Sequence, residues 1–534
     1  MKKIFGLCLA GIFFLTANLV QAQNLCDQAV STKQGPVLGK QDQKSLVCVY
    51  QGIPYALPPS GDLRWQAPQA PAKRSGTFPA FEFGPSCIQN ESLTSGGKSK
   101  SFSEDCLTLN IFRPAASGTY PVLFWIHGGG YTQGAGSYEM YNGAALASAK
   151  DVVVVSINYR LGFFGFLALA ELAKEDPHQS TGNYGVLDQV AALEWVRDNI
   201  AGFGGDPGNV TIFGESAGGV SVCNLLATPL AAGLFQRGII ESGGCDLNRS
   251  LEDGEQQGRS LLKAQNCEGP DALQCLRAKP AQSLLLPSKE LITGAAAHID
   301  HYVFADQPIE ILKKGNFNKV PIMVGSNRDE FSMTIFLTPG GIFSSRQQVI
   351  KLMQDQLGTR AQEVLKMYSF DDYQRPAFLI AAAFTDGFGS RAFAAAEAMS
   401  PFTPVYLYRF DWREERLGKT LGAFHGLEIP FVFGTLEAKK ATLHLLLSSQ
   451  AVASGKPLSE KMMSYWTNFA KTGDPNAAGL EKWPVYKIDR RERIYFDNRI
   501  SAAPLTAREL ERYQYFAGIS VEELMGRKDQ AGEK

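Results

Sequence analysis

The chain carries Gly214-Glu215-Ser216-Ala217-Gly218, and no other stretch constrains its fold as tightly. A Gly-x-Ser-x-Gly sequence sets a serine on a sharp strand-to-helix turn. Val210–Phe213 before it is apolar and rich in β-branched residues, and Ala217–Leu226 after it is compatible with a helix. The glycines leave space where side chains would collide. The helix N-terminus offers unpaired N–H groups to a developing negative charge. Alone the pentapeptide is a weak signal, so the rest of the chain must supply its partners.

Short apolar runs at Val122–Ile126, Val152–Ile157, Val210–Phe213, Gly238–Glu241, Val320–Val324 and Val405–Phe410 read as strands buried on both faces. Helix-compatible stretches such as Leu187–Asn199 lie between them. This alternation predicts an α/β protein with a mostly parallel central sheet flanked by helices. Residues 247–318 read as a helical insertion, and Ser/Gly/Lys-rich residues 92–103 as a mobile surface loop. With 534 residues, length alone allows about two to four domains. No repeat or long linker divides the chain, so residues 23–525 are expected to form one domain, with residues 526–534 a flexible charged tail.

Lys2 and Lys3 precede the mostly apolar run Ile4–Val20, and Val20-Gln21-Ala22 is an acceptable cleavage site. Residues 1–22 therefore read as a signal peptide that directs a secreted or periplasmic protein. No later stretch is long and apolar enough to span a bilayer, so no integral membrane segment is expected after cleavage. A net charge of −1 gives no basic field for nucleic acid. Cys8 leaves with the leader, and Cys26, Cys48, Cys87, Cys106, Cys223, Cys245, Cys267 and Cys275 remain. An even count in an exported chain reads as a disulfide framework, although spacing does not fix its connectivity.

Ser216 needs a base to become a nucleophile. His127 opens His127-Gly128-Gly129-Gly130 after the strand Val122–Ile126, which is the pattern of an oxyanion loop, so His127 reads as structural. His178, His298 and His301 come before any acid after the fifth strand, and His444 lies in a Leu-rich run. His425, in the glycine-flanked segment Gly422–Gly426 after the strand Val405–Phe410, is the expected base. A histidine base titrating near 6.5 implies a rate that rises through roughly pH 6–7.5. Asp329, Glu330, Asp386 and Asp411 all stand as candidates for the acid that orients it. The order serine, acid, histidine is that of the α/β-hydrolase fold. No Cys/His group has zinc spacing, and no metal or organic cofactor is expected.

Several segments carry a family resemblance. They are Tyr50–Ala56, Ser103–Asn110, Asn183–Gln189, Phe213–Gly219, His425–Gly434 and Trp466–Ala470. Over nearly the whole mature length the chain resembles the type-B carboxylesterase/cholinesterase family. The resemblance implies an α/β-hydrolase fold with helical insertions and a serine carboxylesterase that acts on small-molecule esters through an acyl-enzyme. It implies a triad of Ser216, Glu330 and His425, with oxyanion donors at Gly129, Gly130 and Ala217. Glu215 and Ser242 match positions that support the serine and the histidine. It also implies disulfides Cys87–Cys106 and Cys267–Cys275, which leaves Cys26–Cys48 and Cys223–Cys245 by elimination. Cholinesterases carry a tryptophan between the first of these cysteine pairs; Ile88–Asp105 contains none, so a general carboxylesterase is favoured over a choline esterase. A lipase acting at an interface is the nearest alternative, and a non-catalytic binding protein a more distant one.

Overall fold

A computed structural model describes residues 25–90, 101–285, 295–338, 340–413, 421–438 and 447–519. The expected leader and tail lie outside the described residues, as do His444 and residues 92–100 of the expected loop. The end of that loop is ordered differently from expectation: Phe102–Ser103 pairs in parallel with Ser86–Cys87.

Among the described residues, eleven strands form the central sheet. They are β1 (Lys40–Gln41), β2 (Val47–Pro54), β3 (Thr108–Pro114), β4 (Tyr120–Ile126), β5 (Val153–Ile157) and β6 (Gly205–Glu215). The rest are β7 (Arg237–Glu241), β8 (Ile322–Asn327), β9 (Val405–Phe410), β10 (Glu492–Phe496) and β11 (Ser501–Pro504). Their order across the sheet is β11-β10-β9-β8-β7-β6-β4-β5-β3-β2-β1. From β10 to β5 every neighbouring pair is parallel. Antiparallel strands close both edges. This is an α/β-hydrolase sheet.

Side chains of a strand alternate between its faces, and the parallel strands are buried on both. Val122, Phe124 and Ile126 of β4 enter one core with Val153, Val155 and Ile212. Leu123 and Trp125 enter the opposite core with Val154, Phe213 and Met323. Helices Tyr184–Asn199 and Ala217–Ala227 contribute to the first core. Helix Ser449–Thr472 covers the second with Met462, Trp466 and Phe469. Because each buried strand is apolar on both faces, it reads in the sequence as a run without alternation.

The expected strands differ mainly at their ends. β6 begins at Gly205 and runs on through Gly214 and Glu215. β8 begins at Ile322 rather than Val320, because Pro321 has no N–H for the ladder, and extends through Gly325-Ser326-Asn327. Residues 247–318 hold helices Leu251–Ala264, Ala272–Ala278 and Pro308–Lys313, as the insertion reading expects. A second helical excursion follows β8, with helices Ser332–Leu337, Arg346–Leu357, Ala361–Met367 and Ala377–Met399.

Disulfides join Cys26–Cys48, Cys87–Cys106, Cys223–Cys245 and Cys267–Cys275, which are the four expected pairs. Two motif acids act as clamps. Asp188 takes Arg160 in a bidentate pair at 2.7 and 2.8 Å, and Glu104 takes Arg64 at 2.6 Å through both oxygens. Among the described residues no helix is long and apolar enough to cross a membrane.

Candidate active site

Parallel strands point their carboxyl ends the same way, and open α/β sheets bind ligands at that edge. Gly129 follows β4, Ser216 follows β6, Ser242 follows β7, Glu330 follows β8 and His425 follows β9. The sheet thus delivers every expected site residue to one edge.

Ser216 caps the helix Ala217–Ala227 with φ 58° and ψ −123°. A positive φ is strained for a residue with a Cβ and persists only where the surroundings enforce it. Enforcement comes from the Ser216 N–H, which donates to the Glu241 carbonyl of the next strand at 2.9 Å. Tight packing adds to it. A Cβ on Gly218 would lie 2.0 Å from the Ile126 carbonyl, and one on Gly214 2.6 Å from the Gly218 carbonyl. Glycine at both positions lets the elbow press against β4.

The loop His127–Gly130 lies over this turn. A Cβ on Gly128 would sit 3.0 Å from the Ser216 Cβ, so the loop touches the elbow. Gly129 and Gly130 have φ of 107° and 62°, and Gly130 is exposed. Among the described residues, the N–H groups of Gly129, Gly130 and Ala217 enter no hydrogen bond. Ala217 is the first helical residue after the serine, where the N–H is unpaired by construction. His127 stacks on Tyr159 at 4.5 Å and is buried, which pushes it down to about 4. It is a neutral part of the loop's scaffold.

His425 Nδ1 and Glu330 Oε2 are 2.6 Å apart. The other oxygen of Glu330 accepts from the Ser242 hydroxyl and from the Asn327 N–H, each at 2.6 Å. Three donors therefore fix this buried carboxylate. The three other acid candidates are engaged elsewhere. Asp329 is held by Arg328 at 2.7 Å and by the Ala423 N–H at 2.9 Å. Asp386 lies inside the helix Ala377–Met399 and binds Tyr368 at 2.7 Å, and Asp411 pairs with Arg409.

The second imidazole nitrogen faces Glu215. His425 Nε2 lies 3.1 Å from Glu215 Oε1. Among the described residues no hydrogen bond joins Ser216 Oγ to His425, so the nitrogen is turned toward the neighbour of the serine. Catalytic hydrogen bonds are often loose without substrate and tighten in the complex. Burial opposes the imidazolium, but the charges of Glu215 and Glu330, with the bond to Glu330, push His425 up to about 10. Its side chain is 37% exposed, so solvent screens part of that effect. Burial pushes Glu215 up to about 7, with His425 drawing it down and Glu330 raising it. Both carboxylates thus favour the charged imidazole over the neutral form that a general base needs.

Residues beyond the expected set complete the site. Phe388 meets the His425 ring edge-on at 5.6 Å, and Phe331 lies 5.9 Å from Phe388 and 5.8 Å from Phe384. All three phenylalanines are half-buried. Phe384 and Phe388 stand one turn apart on the helix Ala377–Met399, a spacing legible in the sequence only once that helix is known to approach β9. Asn327 Nδ2 donates to the Phe424 carbonyl at 2.8 Å and also to Glu428, tying the histidine loop to β8. Glu428 is fully buried three residues after His425. The other described histidines make contacts of their own: His178 stacks on Tyr302 at 4.0 Å, His298 is buried against the Gly182 carbonyl, and the His301 N–H donates to the Phe304 carbonyl.

A strained serine at an elbow, a glycine loop with unused amides and a carboxylate-held histidine on this sheet define an α/β hydrolase. The chain belongs to the carboxylesterase family, whose model matches residues 26–513. It is 37% identical over 486 residues to the para-nitrobenzyl esterase of Bacillus subtilis, covering 89% of this chain and 96% of that one. It is 35% identical to the fumonisin B1 esterase of Sphingopyxis macrogoltabida, covering 87% and 85%. The solved carboxylesterase of Geobacillus stearothermophilus superposes with a TM-score of 0.80 at 34% identity, over 91% of this chain and all (100%) of that one. The chain is thus a carboxylic ester hydrolase of a serine-hydrolase family.

Proposed function

We propose that the protein is an exported carboxylesterase in which Ser216, His425 and Glu330 form the catalytic triad. The observation that carries this reading is the 2.6 Å contact between His425 Nδ1 and Glu330 Oε2, with Nε2 directed at the elbow that carries Ser216. Ser216 Oγ attacks the ester carbonyl carbon as His425 Nε2 takes its proton. The carbonyl oxygen gathers charge and receives the N–H groups of Gly129, Gly130 and Ala217. As the tetrahedral centre collapses, the C–O bond to the alcohol breaks and His425 protonates the leaving oxygen. Water then attacks the acyl-enzyme with the same histidine as base, and the acid leaves. Glu330 keeps Nδ1 protonated and faces the imidazolium.

The phenylalanines beside His425 favour esters with an apolar substituent near the leaving oxygen. Export is supported by the leader-like residues 1–22 and by four disulfides, which persist in oxidising compartments. A hydrolysis screen over esters of graded acyl length, with Ser216→Ala as blank, tests the assignment. Hydrolysis of soluble esters by the native chain and none by the variant is expected. Equal turnover by both would remove it.

A further inference from the structure

Two separate elements supply the amides read as oxyanion donors. Gly129 and Gly130 lie in the loop after β4, and Ala217 opens the helix after β6. Such donors must stand about 2.7–3.1 Å from the developing charge, so the loop and the helix need a fixed spacing. The loop itself is an unusual piece of backbone. Gly129, Gly130 and Tyr131 follow one another with φ of 107°, 62° and 58°. Glycine accepts such angles freely, whereas a large aromatic residue does so only where its surroundings enforce them.

Tyr131 is held on every side. It is 4% exposed, its carbonyl accepts from the Gly162 N–H at 2.7 Å, and its ring lies 4.7 Å from that of Phe166. Its hydroxyl reaches the helix. The oxygen is 3.0 Å from the Ser221 hydroxyl, and Asn224 Nδ2 donates to it at 3.4 Å. Ser221 Oγ also accepts from Gln189 Nε2 at 3.0 Å and lies 2.9 Å from the Ala217 carbonyl, one turn back. A hydroxyl has a single proton, and a carbonyl can only accept. Ser221 therefore donates to Ala217, and Tyr131 donates to Ser221. Burial pushes the Tyr131 phenol up, which keeps that proton in place. Gln189, Ser221 and Asn224 are fully buried, so water does not compete for these bonds. Among the described residues, the hydrogen bonds between the loop His127–Tyr131 and the helix Ala217–Ala227 all run through the Tyr131 hydroxyl.

We propose that Tyr131 is a positioning residue of the oxyanion site, whose hydroxyl ties the Gly129 and Gly130 amides, through Ser221, to the residue that supplies the third amide. The inference rests on the reading of those three amides given above. The chain of hydrogen bonds runs from Asn224 through Tyr131 and Ser221 to the carbonyl of Ala217. It joins the two halves of the site behind the serine, out of reach of substrate. Without it the loop keeps its glycines but loses its register against the helix, and the amides no longer converge on one point. The loss falls on the transition state, where the oxygen carries charge, and much less on the bound ester.

Tyr131→Phe keeps the ring and removes the donor. Its kcat for a soluble ester should fall about tenfold, with KM changed less than about twofold. A trifluoromethyl ketone gives a second readout. Ser216 Oγ adds to its carbonyl carbon, the serine proton passes to His425 Nε2, and the resulting alkoxide needs the same three amides. Its inhibition constant should rise by the factor by which kcat/KM falls. Ser221→Ala removes the acceptor and should act alike, and the double variant should lose little more than either single one, because both break one chain. Ser221→Ala carries the test should Tyr131→Phe not fold. An unchanged kcat, an inhibition constant that does not follow kcat/KM, or losses that add in the double variant would mean that Tyr131 is merely structural and would overturn the proposal. Hydrolysis that persists in Ser216→Ala, or a native chain that the ketone does not inhibit, would instead remove the reading on which it rests.

Discussion

Glu215 Oε1 lies 3.1 Å from His425 Nε2, the nitrogen proposed to receive the Ser216 proton. The residue before the proposed nucleophile therefore acts, with Glu330, on the electrostatics of the proposed base. Catalysis needs the imidazole neutral at the moment of attack, whereas Glu215 favours its charged form. The two groups titrate as a pair.

One consequence is a shifted pH profile. His425 is pushed up to about 10, so kcat/KM should rise at pH values above the ordinary histidine range. Glu215→Gln removes a carboxylate that raises His425 and should move the rise to lower pH. The stability sign follows from the same shift. A histidine raised in the folded state stabilises fully below its unfolded value near 6.5 and loses that contribution as pH rises toward about 10. Melting temperatures of the native chain should therefore fall across this window, and those of Glu215→Gln should fall less. A kcat/KM profile unchanged by Glu215→Gln would contradict this account.

A second expectation separates adjacent acids. Glu330→Gln keeps the shape but leaves His425 without its anion, and should lower kcat by about 10²–10⁴. Asp329 instead holds Arg328 and the Ala423 N–H, so Asp329→Asn should cost far less in kcat. Steady-state kinetics of the two variants decide between them.

The buried pair of Asp188 and Arg160 should be costly to break. Asp188 and Arg160 have side-chain exposures of 0% and 3%. Asp188→Ala strands the guanidinium and should destabilise the fold by about 3–5 kcal/mol, read from the denaturant midpoint.

Specificity should not favour a cation. Tyr131, one aromatic near the elbow, is buried and bound to Ser221 at 3.0 Å, so its face is not offered to substrate. Phe331 packs against Phe384 and Phe388. Butyrylcholine and its uncharged 3,3-dimethylbutyl counterpart should differ by less than about tenfold in kcat/KM. A larger preference for choline would reveal a cation-binding face.

The elements that the sequence revealed were those with one dominant signal. β5 and β9 are apolar runs interrupted by Ser156 and Arg409 alone, because both faces are buried, and the elbow glycines are forced by contacts of 2.0–2.6 Å. β2, β3, β10 and β11 were harder to read, since polar residues such as Gln51, Asn110 and Arg493 interrupt them. Asn110 is there to hold the Gly52 N–H at 2.9 Å, a contact between residues distant in the chain. The choice among four acids came from family likeness and not from spacing, because adjacent residues in a turn point differently. Phe388 was missed for a similar reason: it acquires its meaning from a partner far along the chain, His425.

The most direct measurement is stoichiometric labelling by an organophosphate, followed by peptide mapping. An activated serine forms a stable phosphoryl adduct, and its neighbours do not. The account predicts one adduct per chain on Ser216, with full loss of ester hydrolysis and no labelling of Ser216→Ala. An adduct on another serine, or hydrolysis that survives complete labelling of Ser216, would contradict it.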